Sequence, residues 1–161
     1  MTTLIPMRPE TFPSFVEEAV ASYAADNVTA GRWPAAGAEA RARTDFDRLL
    51  PQGLATPGHH LCEIEDEDMR QSVGFVWFAE VGDEGTRSGF LYSIRVKPEF
   101  RGRGYAKAAL GQVERLAEGM GLHGIALHVF GFNTGAQALY RSLGYGITGI
   151  NMVKVLRRDA G

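Results

Sequence analysis

The stretch from Val96 to Ala106 has the composition of an anion-binding loop. It ends an apolar strand pattern, continues through Gly102 and Gly104, and opens a helical pattern. The two glycines permit a sharp turn and leave room for a bulky anion beside the backbone. The amides of a helix N-terminus attract negative charge, and so do the basic residues nearby: Arg95, Lys97, Arg101, Arg103 and Lys107. We interpret this stretch as a polyphosphate-binding loop.

The spacing of the glycines distinguishes this loop from other glycine motifs. An isolated Gly-x-Gly before a helix is more often a plain turn, with its basic residues on a solvated face. A dinucleotide-binding fingerprint needs a third small residue where Lys107 stands, and no Gly-Lys-Ser or Gly-Lys-Thr of a phosphate loop is present. The choice between a turn and a coenzyme site therefore depends on the elements around the loop.

The hydrophobic pattern predicts an alternating set of helices and strands around this loop. Apolar residues three and four apart predict helices over 12–23, 34–50, 103–120 and 133–143, the last with Asn133 or Thr134 as its N-cap. Alternating or continuous apolar runs predict strands over 3–8, 60–65, 72–81, 89–96, 125–130 and 147–156, the last interrupted at Gly149. Glycines 121 and 144 are expected to end the two later helices.

Composition limits the class of protein. A chain of 161 residues with 45% hydrophobic residues fits a single compact domain. Cys62 is the only cysteine, so an intrachain disulfide is excluded and a reducing, cytoplasmic setting is expected. A net charge of -2 gives no support to a nucleic-acid partner, and no apolar run approaches the length of a membrane span.

Two blocks of residues resemble the GNAT superfamily of N-acetyltransferases. The first, Arg101-Gly102-Arg103-Gly104-Tyr105-Ala106, resembles its Arg/Gln-x-x-Gly-x-Gly/Ala signature for acetyl-CoA. The second runs from Leu127 through Asn133 and Ala136 to Tyr140 and Tyr145, and resembles its downstream strand, Asn and Tyr-bearing helix. The resemblance covers about residues 60 to 156. It implies an α/β fold with a mixed, mostly antiparallel sheet, about four flanking helices, and two splayed strands that hold acetyl-CoA.

The resemblance also implies roles for individual cofactor-binding residues. The edge of the strand ending at Val96 would pair with pantetheine, and an amide of Ile94, Arg95 or Val96 would polarise the thioester. The residues from Arg101 to Ala106 would hold the pyrophosphate. Asn133 and Ala136 would lie at the pantetheine arm. Residues 60–156 would form the acetyl-CoA core, and residues 1–57 would form a helical region on the acceptor side.

The catalytic residues follow less completely from the resemblance. Tyr140 would be the general acid that protonates the departing thiolate, although helical spacing alone favours a packing role. No Asp or Glu lies between Phe90 and Val96, so a carboxylate base on that strand is in doubt. The candidate bases are Tyr92, Glu80, His128 and a water chain. Strand alternation places Tyr92 on the face of Phe90, Ile94 and Val96, where core packing would also explain it.

Two functions are therefore kept open. The first is transfer of the acetyl group of acetyl-CoA to an amine, which could be a peptide, a lysine or a small molecule. The second is a CoA-binding regulatory module without turnover. Neither requires a metal, because His59, His60, His123 and Cys62 lack the spacing of a metal site. A homodimer is common for this fold, but no interface is indicated by the sequence.

Overall fold

The computed structural model describes residues 1–157 and contains a five-stranded sheet with helices on both faces. The strands are β1 (Thr2–Pro6), β2 (His59–Asp66), β3 (Gln71–Val81), β4 (Ser88–Val96) and β5 (Ile125–Leu127). The helices are α1 (Phe12–Thr29), α2 (Ala38–Leu49), α3 (Tyr105–Gly119) and α4 (Thr134–Ser142), with short 3-10 turns at Gly53–Ala55 and Pro98–Phe100.

The sheet has the order β1-β2-β3-β4-β5. The first four strands pair antiparallel, and β5 is parallel to β4 because α3 carries the chain back across the sheet. The predicted mixed, mostly antiparallel sheet flanked by four helices is confirmed.

Two hydrophobic clusters hold the layers together, one on each face of the sheet. Phe75 and Trp77 of β3 pack with the apolar faces of α1 and α2. Val76 and Phe78, which alternate with them, pack with Leu110 and the other buried apolar residues of α3, and this group is called the α3 cluster. Helices α1 and α2 therefore lie on one face of the sheet, and α3, which follows the glycine loop, lies on the other.

The structure corrects several predicted boundaries. The first helix continues to Thr29, because the Asn27 side chain is fully buried and its Nδ2 donates to the Tyr23 backbone carbonyl one turn earlier. The second helix begins at Ala38, since Gly37 takes a left-handed conformation with φ of 75° as its N-cap. The fifth strand ends at Leu127 rather than near residue 130.

The largest correction concerns the C-terminal segment. The predicted strand over residues 147–156 is wrong, because this segment has no strand pairing in the described part of the chain. A strand is stabilised by hydrogen bonds to a neighbour, and β5 is followed by no further strand in the order. The segment keeps its apolar composition but lies exposed.

Candidate active site

The pairing between β4 and β5 ends halfway along β4. The parallel register joins Gly89 to Ile125 and extends only to Leu91 opposite Leu127. The following residues of β4, from Tyr92 to Val96, have no strand partner on that side within residues 1–157, while β3 pairs with their other edge. The sheet therefore presents five residues of unpaired strand edge next to the glycine loop.

A β-bulge lies where this unpaired edge begins. Trp77 of β3 pairs with Ser93 and the next residue, Phe78, pairs with Leu91, so Tyr92 is the extra residue of β4. The bulge shifts the alternation of the strand. Tyr92 therefore packs with the α1 and α2 cluster, whereas Ile94 and Val96 pack against the α3 cluster.

The predicted placement of Tyr92 on the face of Ile94 and Val96 is wrong for this reason. Its ring stacks on Trp77, with centroids 4.6 Å apart, and on His59 at 5.7 Å. The Phe90 ring lies on the same face as the Tyr92 ring, as predicted, with the two centroids 4.7 Å apart. Burial raises the pKa of the Tyr92 phenol, so the group is protonated at neutral pH.

The glycine loop presents unbonded backbone amides. Gly102 and Gly104 have φ of 76° and 85°, and a Cβ at either position would meet no atom within 4 Å. Gly104 is the N-cap of α3, and no side chain caps this helix. The N–H groups from Gly102 to Lys107 have no acceptor among the described residues. An anion can therefore approach the positive end of α3 directly.

The five basic residues near this loop separate into two groups. Arg101, Arg103 and Lys107 are exposed around the loop, with the Arg101 Nε donating to the Val96 carbonyl at 3.1 Å. The Lys97 ammonium instead donates to the Ser72 carbonyl at 2.9 Å, near the start of β3. Arg95 lies near Asp26 of α1, where burial raises the pKa of the carboxyl and the charge of Arg95 partly offsets that effect. Three basic side chains therefore remain beside the unbonded amides.

Tyr105 and Ala106 begin the helix that the loop opens. The Tyr105 hydroxyl donates to Asp66 Oδ2 at 2.5 Å, which ties α3 to the end of β2. This bond raises the pKa of Tyr105 and lowers the pKa of Asp66. The side chain of Tyr105 thus positions α3, while its backbone amide belongs to the unbonded set.

Tyr140 lies on α4, half-buried against the α3 cluster. Its ring is 5.7 Å from that of Tyr145 in an edge-to-face arrangement. Burial raises the pKa of Tyr140, and burial with the nearby Glu114 raises that of Tyr145 to about 12. Both phenols are therefore protonated at neutral pH. The Tyr145 hydroxyl is buried and has no hydrogen-bond partner in the described structure.

Tyr140 and the end of β5 line one open cavity of about 1380 Å³. Its walls also include His128 and Phe130 after β5, and the segment from Leu143 to Val153. This cavity adjoins the outer side of β5. Tyr140 and His128 both line this cavity, whereas the β4 edge and the glycine loop do not. Tyr140 also packs against the same hydrophobic cluster as Val96 of β4.

Asn133 is the N-cap of α4, as one of the two predicted alternatives stated. Its Oδ1 accepts from the Ala136 amide at 3.2 Å. The cap leaves the Asn133 Nδ2 without an acceptor among the described residues. Asn133 and Ala136 therefore form one turn, with a side-chain donor still available at the start of α4.

The candidate bases differ in their protonation behaviour. Glu80 accepts hydrogen bonds from His60 and Arg87, and the bond from His60 is the main cause of its lowered pKa. A carboxylate held in this way is a weak base. The pKa of His128 is lowered, first by burial and then by Arg32, so its imidazole is neutral near pH 7. Of the three side chains, His128 is best suited to accept a proton.

The surroundings of Cys62, His59 and His123 suit packing and hydrogen bonding rather than catalysis or metal binding. Burial raises the pKa of the Cys62 thiol to about 11, so little thiolate forms. His59 Nδ1 accepts from the Trp77 indole at 2.9 Å, and His123 contacts the Gly85 carbonyl at 3.1 Å. Among residues 1–157, no group of three or more His, Cys, Asp or Glu residues could hold a metal ion.

Two residues close to β4 were not predicted from the sequence. Asp26, near the end of α1, lies near Arg95, and burial raises the pKa of its carboxyl. The order of the chain gave no sign of this proximity. Gly74 of β3 lies so close to β4 that a Cβ there would clash with the Arg95 carbonyl oxygen. A glycine inside a strand pattern is a sequence signal for such a close approach.

Comparison with known proteins agrees with this architecture. The chain matches the Acetyltransferase (GNAT) family over residues 22–145. It is 35% identical over 153 residues to the uncharacterized N-acetyltransferase YycN of Bacillus subtilis (strain 168), covering 95% of this chain and 97% of YycN. The uncharacterized N-acetyltransferase YdgE of the same organism is 31% identical over 154 residues, covering 96% of this chain and 98% of YdgE.

A crystal structure of YycN from Bacillus subtilis superposes on the described fold with a TM-score of 0.92 and 34% identity, covering 98% of this chain and 100% of that one. No helix within residues 1–157 is both long and apolar enough to cross a membrane. The match over most of its length and the two relatives above 30% identity show that the chain belongs to the GNAT family of acetyltransferases.

Proposed function

We propose that this protein transfers the acetyl group of acetyl-CoA to an amine by direct attack in a ternary complex. The proposal rests on one observation: the unpaired edge from Tyr92 to Val96 leads directly into the unbonded amides from Gly102 to Lys107. A strand edge suits the amide-rich pantetheine arm, and free amides at a helix N-terminus suit its pyrophosphate. The residues present therefore fit acetyl-CoA.

Each group has a specific part in binding the cosubstrate. The backbone of Ile94, Arg95 and Val96 would pair with pantetheine. Gly102 and Gly104 would admit the pyrophosphate between Arg101 and Arg103, with the amides of Tyr105 and Ala106 at the start of the helix. The Asn133 Nδ2, which the cap leaves unbonded, would donate to a pantetheine carbonyl. In this arrangement residues 60–156 bind acetyl-CoA, and residues 1–57 contact the acceptor.

Acetyl-CoA, when bound, supplies the acetyl group as an activated thioester. An amide of Ile94, Arg95 or Val96 would donate to the thioester oxygen and stabilise the negative charge that develops there. His128, neutral at pH 7, would accept the proton that the attacking nitrogen loses. Tyr140 would give its proton to the sulfur as the carbon–sulfur bond breaks. Tyr92, protonated and stacked, would serve only as a relay.

The test is acetyl-CoA turnover in Tyr140→Phe, measured as thiol release with a panel of amines and peptides. Loss of the acid should lower the turnover number by roughly 10²- to 10⁴-fold with little change in acetyl-CoA affinity. The matched control is Tyr145→Phe, because that hydroxyl lies on the neighbouring ring and makes no hydrogen bond. We expect near-normal turnover in the control.

Two outcomes would contradict the proposal in different ways. Equal turnover in Tyr140→Phe and the unchanged protein would reduce Tyr140 to a packing residue. Acetyl-CoA binding without any amine-dependent thiol release would instead support a CoA-binding regulatory module. Mass spectrometry of the acetylated products would identify the acceptor.

A further inference from the structure

The C-terminal arm, defined as residues 146–157, is an apolar segment that pairs with no strand in the described part of the chain. Its large apolar side chains have exposed fractions from 60% to 92%, namely Ile147, Ile150, Met152, Val153, Val155 and Leu156. Six such residues in one short stretch form an exposed apolar patch of the kind that marks an interaction surface. The same stretch has the composition of a strand.

β5 offers the complementary surface. It is the last strand of the sheet, and its outer edge has no strand partner within residues 1–157. An exposed edge of this kind is a ready template for another strand. β5 and residues 146–153 of the arm line the same cavity of about 1380 Å³, but they form no strand pair in this copy.

The distal half of the arm lies near the end of α1. The Cγ1 of Val153 and the Cγ2 of Val155 lie 3.6 Å and 3.8 Å from the point where a Cβ of Gly31 would be. Gly31 follows α1, so the distal half of the arm crosses to the acceptor-side helices. The outer edge of β5 has no strand partner within residues 1–157, so its backbone can take a strand from a second copy.

We propose that two copies of this chain exchange their C-terminal arms, each arm adding a strand to the outer edge of β5 in the other copy. A two-fold axis satisfies both edges at once, and exchange of an identical element is a low-cost route to a dimer. The exchange would bury the apolar residues of both arms. It would also make the partner's arm a wall of the cavity that contains Tyr140 and His128.

Solution mass, measured by light scattering and sedimentation over a range of concentrations, tests the assembly. The full chain should be a dimer. Replacing two exposed arm residues together, Ile150→Lys and Met152→Lys, should weaken the dimer by at least about a hundredfold, since four buried apolar side chains are lost per dimer. Met69→Lys is the matched control, because Met69 is exposed on the distant turn between β2 and β3.

A cross-linking experiment separates exchange from other contacts and keeps the apolar arm intact. In a Cys62→Ala background, Ala126→Cys on β5 is combined with Asn151→Cys on the arm. Isotope-labelled and unlabelled copies are refolded together and joined with a short thiol cross-linker. Exchange should give cross-linked peptide pairs in which position 126 comes from a labelled copy and position 151 from an unlabelled copy, or the reverse. A monomer at every concentration, a dimer unaffected by the arm variant, or cross-links confined to single copies would overturn the proposal.

Discussion

Single residues of this protein derive their properties from partners that are distant in the chain. Tyr92 shows this most clearly, because one extra residue in β4 turns its ring from the α3 side toward Trp77 and His59. Alternation in the sequence could predict that Tyr92 lies on a strand. It could not predict the bulge, since the register depends on how β3 and β4 meet.

The role assigned to His128 is testable through pH. Because burial lowers its pKa below the usual value of 6.5, the imidazole should lose activity only when protonated at lower pH. The rate should therefore fall on the acidic side of the profile. His128→Gln should remove this acidic limb and lower turnover by roughly 10²- to 10⁴-fold. A profile that retains the limb would assign the base elsewhere.

The matched control for this experiment is His123→Gln. His123 lies just before β5, where it contacts the Gly85 carbonyl, and it has no assigned part in the reaction. The same substitution there should leave both the acidic limb and the turnover number nearly unchanged.

Glu63 is a second residue whose contribution depends on pH. Its side chain is 1% exposed and accepts three hydrogen bonds from Arg8, which lower its pKa below the usual 4.5. Since the unfolded carboxyl is protonated first as pH falls, its stabilisation is complete above about pH 4.5 and is lost below it. Glu63→Gln should lower the free energy of unfolding at pH 7 by about 1–3 kcal/mol.

Urea denaturation at pH 7 and at pH 3 measures this difference. The gap between Glu63→Gln and the unchanged protein should narrow at the lower pH. Glu84→Gln, in an exposed loop, provides the comparison and should change stability little at either pH. An equal gap at both values would show that the charge of Glu63 is unimportant.

At the scale of elements, α3 has two ends with the same backbone conformation and different surroundings. Gly104 before the helix and Gly121 after it have φ of 85° and 75°, and a Cβ at either would meet no atom within 4 Å. Valine at either position should cause similar strain. Only Gly104 adjoins the unbonded amides of the proposed pyrophosphate site.

Gly104→Val should therefore lose acetyl-CoA affinity by at least about tenfold, whereas Gly121→Val should keep it. Calorimetric titration measures the affinities, and circular dichroism confirms that both variants are folded. Equal affinities in the two variants would refute the assignment of the phosphate loop.

The elements themselves were largely predictable from the sequence. The apolar stripe of α3, the glycines at its ends and the Asn133 cap of α4 are local signals, and the structure contains each of them. The start of α2 was misplaced, because the left-handed Gly37 competes with Pro34 as a helix start. Local signals give the type of an element more reliably than its ends.

At the scale of the whole molecule, the sheet order and the splay between β4 and β5 followed from resemblance to a family, not from composition. The proximity of Asp26 to Arg95 and the cavity beside Tyr140 could be predicted from neither. They depend on how layers stack, which one sequence does not encode in any local pattern. The C-terminal arm failed as a predicted strand because strand propensity is realised only when a neighbour is present.

Because the thiol of Cys62 is half-buried, it should interfere little with an assay that detects the thiol of released CoA. With the pKa raised from 9.0 to about 11, the thiolate fraction near neutral pH is about a hundredfold smaller than for an exposed cysteine. The chain has no other cysteine. A chromogenic disulfide reagent would thus react with each CoA molecule as it is released while the folded protein contributes almost no background colour, so turnover can be followed continuously without altering the natural sequence.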